Sequence, residues 1–193
     1  MMPPSSRPDR SPNRRTIFAL LALLALALPL RAQIRESALS DGEVNEIRQA
    51  RYYPGDCVLL FVKFDDLRLK EIQDLYAKPR RPGREQDTRE LLGQFTSIVD
   101  ELSDNLDDYG PRHADLRKAL PKILDATDRW SSALKSVPDD EAYAIARKLA
   151  LESIRDLREG ATELAAEQAT WFKAHPPPKD EKDGRAPPID IPR

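Results

Sequence analysis

The 193-residue chain carries one cysteine, Cys57, and two histidines, His113 and His175. These scarcities exclude much chemistry. One cysteine cannot form an internal disulfide, cannot supply the Cys-x-x-Cys-His haem attachment, and leaves a tetrahedral zinc site short of His and Cys ligands. A di-iron helical bundle needs Glu-x-x-His on two helices, and neither histidine has Glu three residues before it. Glycine is also sparse, with 7 residues, and no glycine-rich phosphate loop, nucleophile elbow or His-Glu-x-x-His occurs. Net basic charge is missing as well: 31 Lys and Arg face 33 Asp and Glu, which argues against a general nucleic-acid binder. No stretch between Gln33 and His175 alternates apolar and polar residues long enough to suggest a sheet.

What is present begins with an N-terminal pattern. Arg7, Arg10, Arg14 and Arg15 precede an almost unbroken Leu/Ala run from Thr16 to Leu30, closed by Pro29 and followed by Arg31-Ala32. This is the order of charged region, apolar region and small-residue cleavage site in a secretory signal peptide, and it predicts export with cleavage near Ala32. The run is shorter than the roughly 20 residues that span a bilayer, so an uncleaved inner-membrane anchor is the alternative. Arg14-Arg15-Thr16-Ile17-Phe18 also resembles a twin-arginine motif, leaving the export route open. Removing residues 1–32 takes five Arg and one Asp and leaves 26 basic against 32 acidic residues, a formal net of −6. Residues 33–175 are expected to form one helical domain, and the Pro-rich residues 176–193 a disordered or extended tail.

Within the domain, proline and glycine mark boundaries. Ser40 and Glu43 stand at capping-box spacing before a short helix over 41–52. A second helix is expected over 55–77, since Cys57–Val62 continues through Phe64, Leu67, Ile72 and Leu75 at helical spacing. A third over 84–108 carries Leu91/Leu92, Phe95, Ile98/Val99, Leu102 and Leu106 on one stripe. A fourth over 112–136 contains Pro121, expected to kink it. A fifth, from Pro138 to about 175, has a stripe of Ala142, Ile145/Ala146, Leu149, Leu157, Ala161, Leu164, Gln168 and Trp171/Phe172. Pro54, Pro111 and Pro138 are read as helix starts, where the missing N–H costs nothing. Gly93 and Gly160, inside helices, suggest close helix approach. Short loops between long helices predict an all-α, up-down-up-down four-helix bundle. The last helix should overhang it, and the short first helix should pack on the overhang, with Ile47, Tyr52 and Tyr53 against Leu164, Trp171 and Phe172.

Candidate sites are few. Cys57 and His113 are expected at the same end of the bundle, where a thiol, an imidazole and nearby Asp56, Asp107 and Asp108 could serve as nucleophile, base and orienting acid; the plainer reading is a small core thiol. Asp104, Asp107 and Asp108 are a weak candidate for a divalent cation, lacking the ligand pattern of a calcium loop. Tyr52, Tyr53, Trp171 and Phe172 are candidate partner-binding aromatics, or a plug sealing the overhang. Lys78, Arg80, Arg81 and Arg84 form a basic loop that could meet anionic polymers or lipid head groups, or simply be solvated. Trp130 and Tyr143 read as core or boundary residues. No cofactor is expected. The function expected is that of a non-enzymatic exported scaffold, adaptor or chaperone-like module, whose partner is another envelope protein or a second copy. It would not bind nucleic acid and would touch the membrane only through an uncleaved signal. A small-molecule or ion-binding bundle, and a thiol enzyme at Cys57/His113, are the alternatives.

Overall fold

The computed structural model describes residues 38–176. The expected signal peptide lies outside this range, as does the expected tail from residue 177 on. Five helices and no strand occur among the described residues: α1 Asp41–Ala50, α2 Pro54–Ala77, α3 Arg84–Tyr109, α4 Leu120–Ser136 and α5 Ala144–Ala174. The all-helical expectation therefore holds. No helix among these residues is long and apolar enough to cross a membrane.

The capping box forms as its spacing predicts. Ser40 Oγ accepts from the Glu43 N–H at 3.3 Å, and the Ser40 N–H donates to Glu43 Oε2 at 2.8 Å, which satisfies donors that the first turn of α1 leaves free. Pro54 starts α2 as expected. Gly83, at the N-cap of α3, has φ 85°, a left-handed backbone open to glycine without steric cost. The apolar stripe of α3 is buried from Leu92 through Leu106.

α3 packs against α2 on one side and α5 on the other, while α4 packs against α5 and, less extensively, α2. Trp130 of α4 is fully buried, edge-on to Phe95 of α3 with ring centroids 5.5 Å apart, and its indole N–H donates to Asp66 Oδ1 of α2 at 2.7 Å. One side chain thus ties three helices, with its polar edge satisfied as a buried indole requires. Tyr143, also buried, closes the connection into α5: Tyr76 Oη donates to Tyr143 Oη at 2.8 Å, and Tyr143 Oη donates to the Pro138 carbonyl. Both aromatics are core residues, as read from the sequence.

Four expectations are corrected. Helix α4 begins at Leu120, so Pro121 lies in its first turn and leaves no kink; residues 111–119 are two turns joined by an irregular stretch, and their apolar side chains Ala114, Leu116 and Ala119 are nevertheless buried. Pro111 and Pro138 sit in connections, and α5 starts at Ala144 with 31 residues. Its buried face is Ala150, Ile154, Leu157, Ala161, Leu164 and Gln168, whereas Ile145 and Leu149 are 76% and 49% exposed. Gly93 and Gly160 have open space where a Cβ would stand, so neither marks a close helix approach.

The fourth correction concerns α1, whose backbone packs on α2 and makes no close approach to that of α5. The cause is a buried ion pair. Arg68 of α2 donates to both carboxylate oxygens of Glu43 at 2.8 and 2.7 Å, to the Ala38 carbonyl at 2.7 Å and, through Nε, to Gln94 Oε1 of α3 at 2.9 Å. A bidentate guanidinium with its remaining donors engaged offsets much of the desolvation of both charges. The Arg68 hydrogen bonds hold the Glu43 carboxyl down at about 2. Farther along, Lys63 pairs with Glu46 at 2.7 Å, so α1 folds back antiparallel along α2.

Candidate interaction site

The end of α5 is covered by the 111–119 segment. Gln168, 3% exposed, donates through Nε2 to the Ala114 carbonyl at 2.7 Å and accepts the Leu116 N–H at 3.0 Å. A side-chain amide here does for a buried turn what a helix would do for itself, pairing its backbone donor and acceptor. Gly110 lets this segment approach α5, since a Cβ there would meet Leu164 Cδ1 at 3.2 Å and the Leu106 carbonyl at 3.3 Å.

Beside this contact lies an open groove of about 560 Å³ lined by Gly110, His113, Leu164, Glu167, Thr170 and Trp171, among others. Its wall is an aromatic stack. His113 lies flat on one face of Trp171 with centroids 3.5 Å apart and planes 8° apart, and His175 stacks on Trp171 at 3.8 Å. His113 adopts φ 52°, a left-handed conformation uncommon for a residue other than glycine. Next along the helix, the Arg117 guanidinium covers the Phe172 ring at 4.1 Å from its centroid and pairs with Asp115 at 2.6 Å. Trp171 and Phe172 are both half-buried.

Of the four candidate aromatics, Trp171 and Phe172 therefore share this end of α5. Tyr52 is 40% exposed and carries the Arg51 guanidinium over its ring at 4.5 Å. Tyr53 stands at the N-cap position of α2 and is half-buried. Ile47, expected to pack against the long helix, lies instead with α1 along α2 and is partly buried against the core.

Cys57 and His113 have different neighbours. The Cys57 thiol is 2% exposed and hydrogen-bonded with the Tyr109 hydroxyl; burial pushes the thiol up, partly opposed by that hydrogen bond, and Glu101 adds to the rise. The Tyr109 hydroxyl is likewise pushed up, first by burial and then by Cys57. A buried, protonated thiol is a poor nucleophile, and His113 is exposed and engaged with Trp171. Asp104, Asp107 and Asp108 are exposed at the end of α3, where Asp108 pairs with Arg112 at 2.6 Å. Among the described residues no three His, Cys, Asp or Glu side chains are placed to hold a metal ion. The basic loop is partly paired: Arg80 and Arg84 share Glu85, Arg81 pairs with Asp87, and Arg84 lies over Tyr76 at 4.5 Å.

The sequence reading missed the pairing of both histidines with one tryptophan and the bonding role of Gln168. It placed Gln168 on the inward stripe, and a lone amide among apolar stripe positions is a signal for a buried polar partner. It also passed over Asp65, which lies on the core face of α2 and is fully buried. Comparison with known protein families, curated sequences and solved structures finds no match to this chain.

Proposed function

We propose that this protein is an exported interaction module: an up-down-up-down four-helix bundle of α2–α5 with α1 as an appendage, acting as a scaffold, adaptor or chaperone-like component of the cell envelope. The pairing of α2 with α3, α3 with α5, α5 with α4 and α4 with α2 supports the bundle arrangement. The N-terminal arginines and the Thr16–Leu30 run support export.

The observation that carries the interaction reading is the groove at the end of α5. It is open, has an apolar floor at Leu164 and is walled by the half-buried Trp171, while the helix interfaces are filled by Trp130, Phe61, Phe64 and Phe95. A filled core with a partly exposed aromatic site suits capture of an apolar side chain from a partner protein, because tryptophan buries large area at little cost in rotamer freedom. The left-handed backbone of His113, stacked on Trp171, fits a preorganised wall. The groove's volume also falls in the range of small-molecule sites, so an apolar small ligand is the second reading.

The test uses full-length protein in an exporting cell, with a photocrosslinking amino acid at Thr170 on the groove rim or at Ile145 on an exposed face outside it. Expected is an adduct of defined mass in the envelope fraction from position 170 that is lost with Trp171→Ala. Adducts equal at the two positions, or unchanged by Trp171→Ala, would overturn the reading. N-terminal sequencing of the envelope-fraction protein should begin at Gln33; full-length protein confined to the cytosol would overturn export.

A further inference from the structure

Asp65 occupies the middle of the core-facing side of α2, with Phe61 and Val62 one turn before it and Arg68, Leu69 and Ile72 after it, all buried. Its side chain is fully buried, and neither carboxylate oxygen has a hydrogen-bond partner. That combination is rare, because a buried polar group is normally paired and a buried charge is paired or neutralised.

The surroundings offer the carboxylate no counter-charge that is not already committed elsewhere. The cation acting on it is Arg68 of α2, whose guanidinium is committed to Glu43 of α1, Gln94 of α3 and the Ala38 carbonyl. Asp66, also on α2, is itself anionic and held by Trp130 and Arg129 of α4. From α3, Asp100 adds a further negative charge. Burial, then Asp66, push the Asp65 carboxyl well above the usual carboxylate range; Arg68 pulls it back and Asp100 raises it.

We propose that Asp65 is a proton-operated latch in the helix packing, uncharged while α2 is seated against α3 and α4 and ionised when that face opens. In the seated state the carboxyl is a neutral acid in an apolar layer. Opening hydrates it, releases its proton to solvent and leaves an anion that cannot return to the core without taking the proton back. Acid therefore holds the packing shut and rising pH loosens it.

The sign follows from linkage. The folded carboxyl holds its proton to higher pH than the unfolded one, so the folded state binds more protons and stability falls as pH rises above the unfolded value of about 3.9. The contribution is fully present below that value and is lost upward until the folded carboxyl itself ionises. Between those limits Asp65 lowers the folding equilibrium constant about tenfold per pH unit.

The experiment is urea unfolding of the full chain from pH 4.5 to 8.5 for wild type, Asp65→Asn and Asp65→Val, with the aspartate side-chain carboxyl carbons of wild type followed by NMR over the same range. Relative to either variant, the wild-type folding constant should fall about tenfold per pH unit from the unfolded value upward until the folded carboxyl ionises. The Asp65 carbon should keep the shift of a protonated acid at pH values where exposed aspartates have already ionised. Parallel pH profiles for wild type and variants, or an Asp65 carboxyl that ionises together with the exposed aspartates, would overturn the proposal. If one variant does not fold, the other variant and the wild-type spectrum decide it.

Discussion

Replacing Gln168 with Ala tests how the 111–119 segment is held. The amide makes two hydrogen bonds, to the Ala114 carbonyl and from the Leu116 N–H, and is 3% exposed. Truncation leaves one backbone donor and one acceptor unpaired in a buried turn, at about 1–3 kcal/mol each. Water entering the space vacated by the side chain recovers part of this, so the net loss expected is about 3 kcal/mol. For a domain of this size 1 kcal/mol shifts Tm by about 3 °C, which predicts a fall of about 9 °C. Urea unfolding followed by far-ultraviolet circular dichroism measures the loss directly. Gln168→Glu sharpens the test, because it keeps an acceptor for Leu116 but sets an anion against the Ala114 carbonyl; its loss should be larger at pH 7 than at pH 4. A cost below about 0.5 kcal/mol for Gln168→Ala, the level of an ordinary surface substitution, would refute the idea that this amide organises the turn.

Two further outcomes follow from the packing. Gly93→Ala and Gly160→Ala should each stabilise the protein by about 0.5–1 kcal/mol in urea unfolding, since a Cβ meets nothing at either site and glycine costs that much in a helix; destabilisation would reveal a close approach. Glu43→Gln should cost about 3 kcal/mol by stranding Arg68, whose side chain is 10% exposed. Because the folded Glu43 carboxyl sits at about 2, below its unfolded value of about 4.3, the pair's contribution is present above about pH 4 and lost as pH falls toward 2. Acid titration of wild type and Glu43→Gln should therefore converge at low pH, and a constant gap would refute the assignment.

Local signals in the sequence were legible where one element sets its own structure. Ser40 and Glu43 carry their cap within four residues, Pro54 starts α2, and the α3 stripe has one phase throughout. Reading failed where a distant partner decides. Leu116 and Leu120 continue the α4 rhythm upstream, so a helix was expected, but Gln168, some fifty residues away, supplies the hydrogen bonds that let residues 111–119 bury their apolar groups as turns. In α5, Ile145 and Ile154 are nine positions apart, about half a turn out of phase at 3.6 residues per turn. Only Ile154 faces the core. The seat of α1 was equally hidden, because its buried ion pair joins residues 25 positions apart. Of the site, the positions of Trp171 and Phe172 were legible, but the stacking of His113 depends on a left-handed backbone that its sequence does not announce.

The two tryptophans have opposite settings, and this gives the molecule its own optical labels. Trp130 is sealed among helices with its indole N–H on a carboxylate, whereas Trp171 is half-buried between two imidazoles at the groove. Emission from Trp130 should be short in wavelength and insensitive to added quenchers, while that from Trp171 should be dim, quencher-accessible and responsive to whatever displaces His113. With Trp130→Phe in place, the remaining fluorophore would report occupancy of the groove without any attached dye.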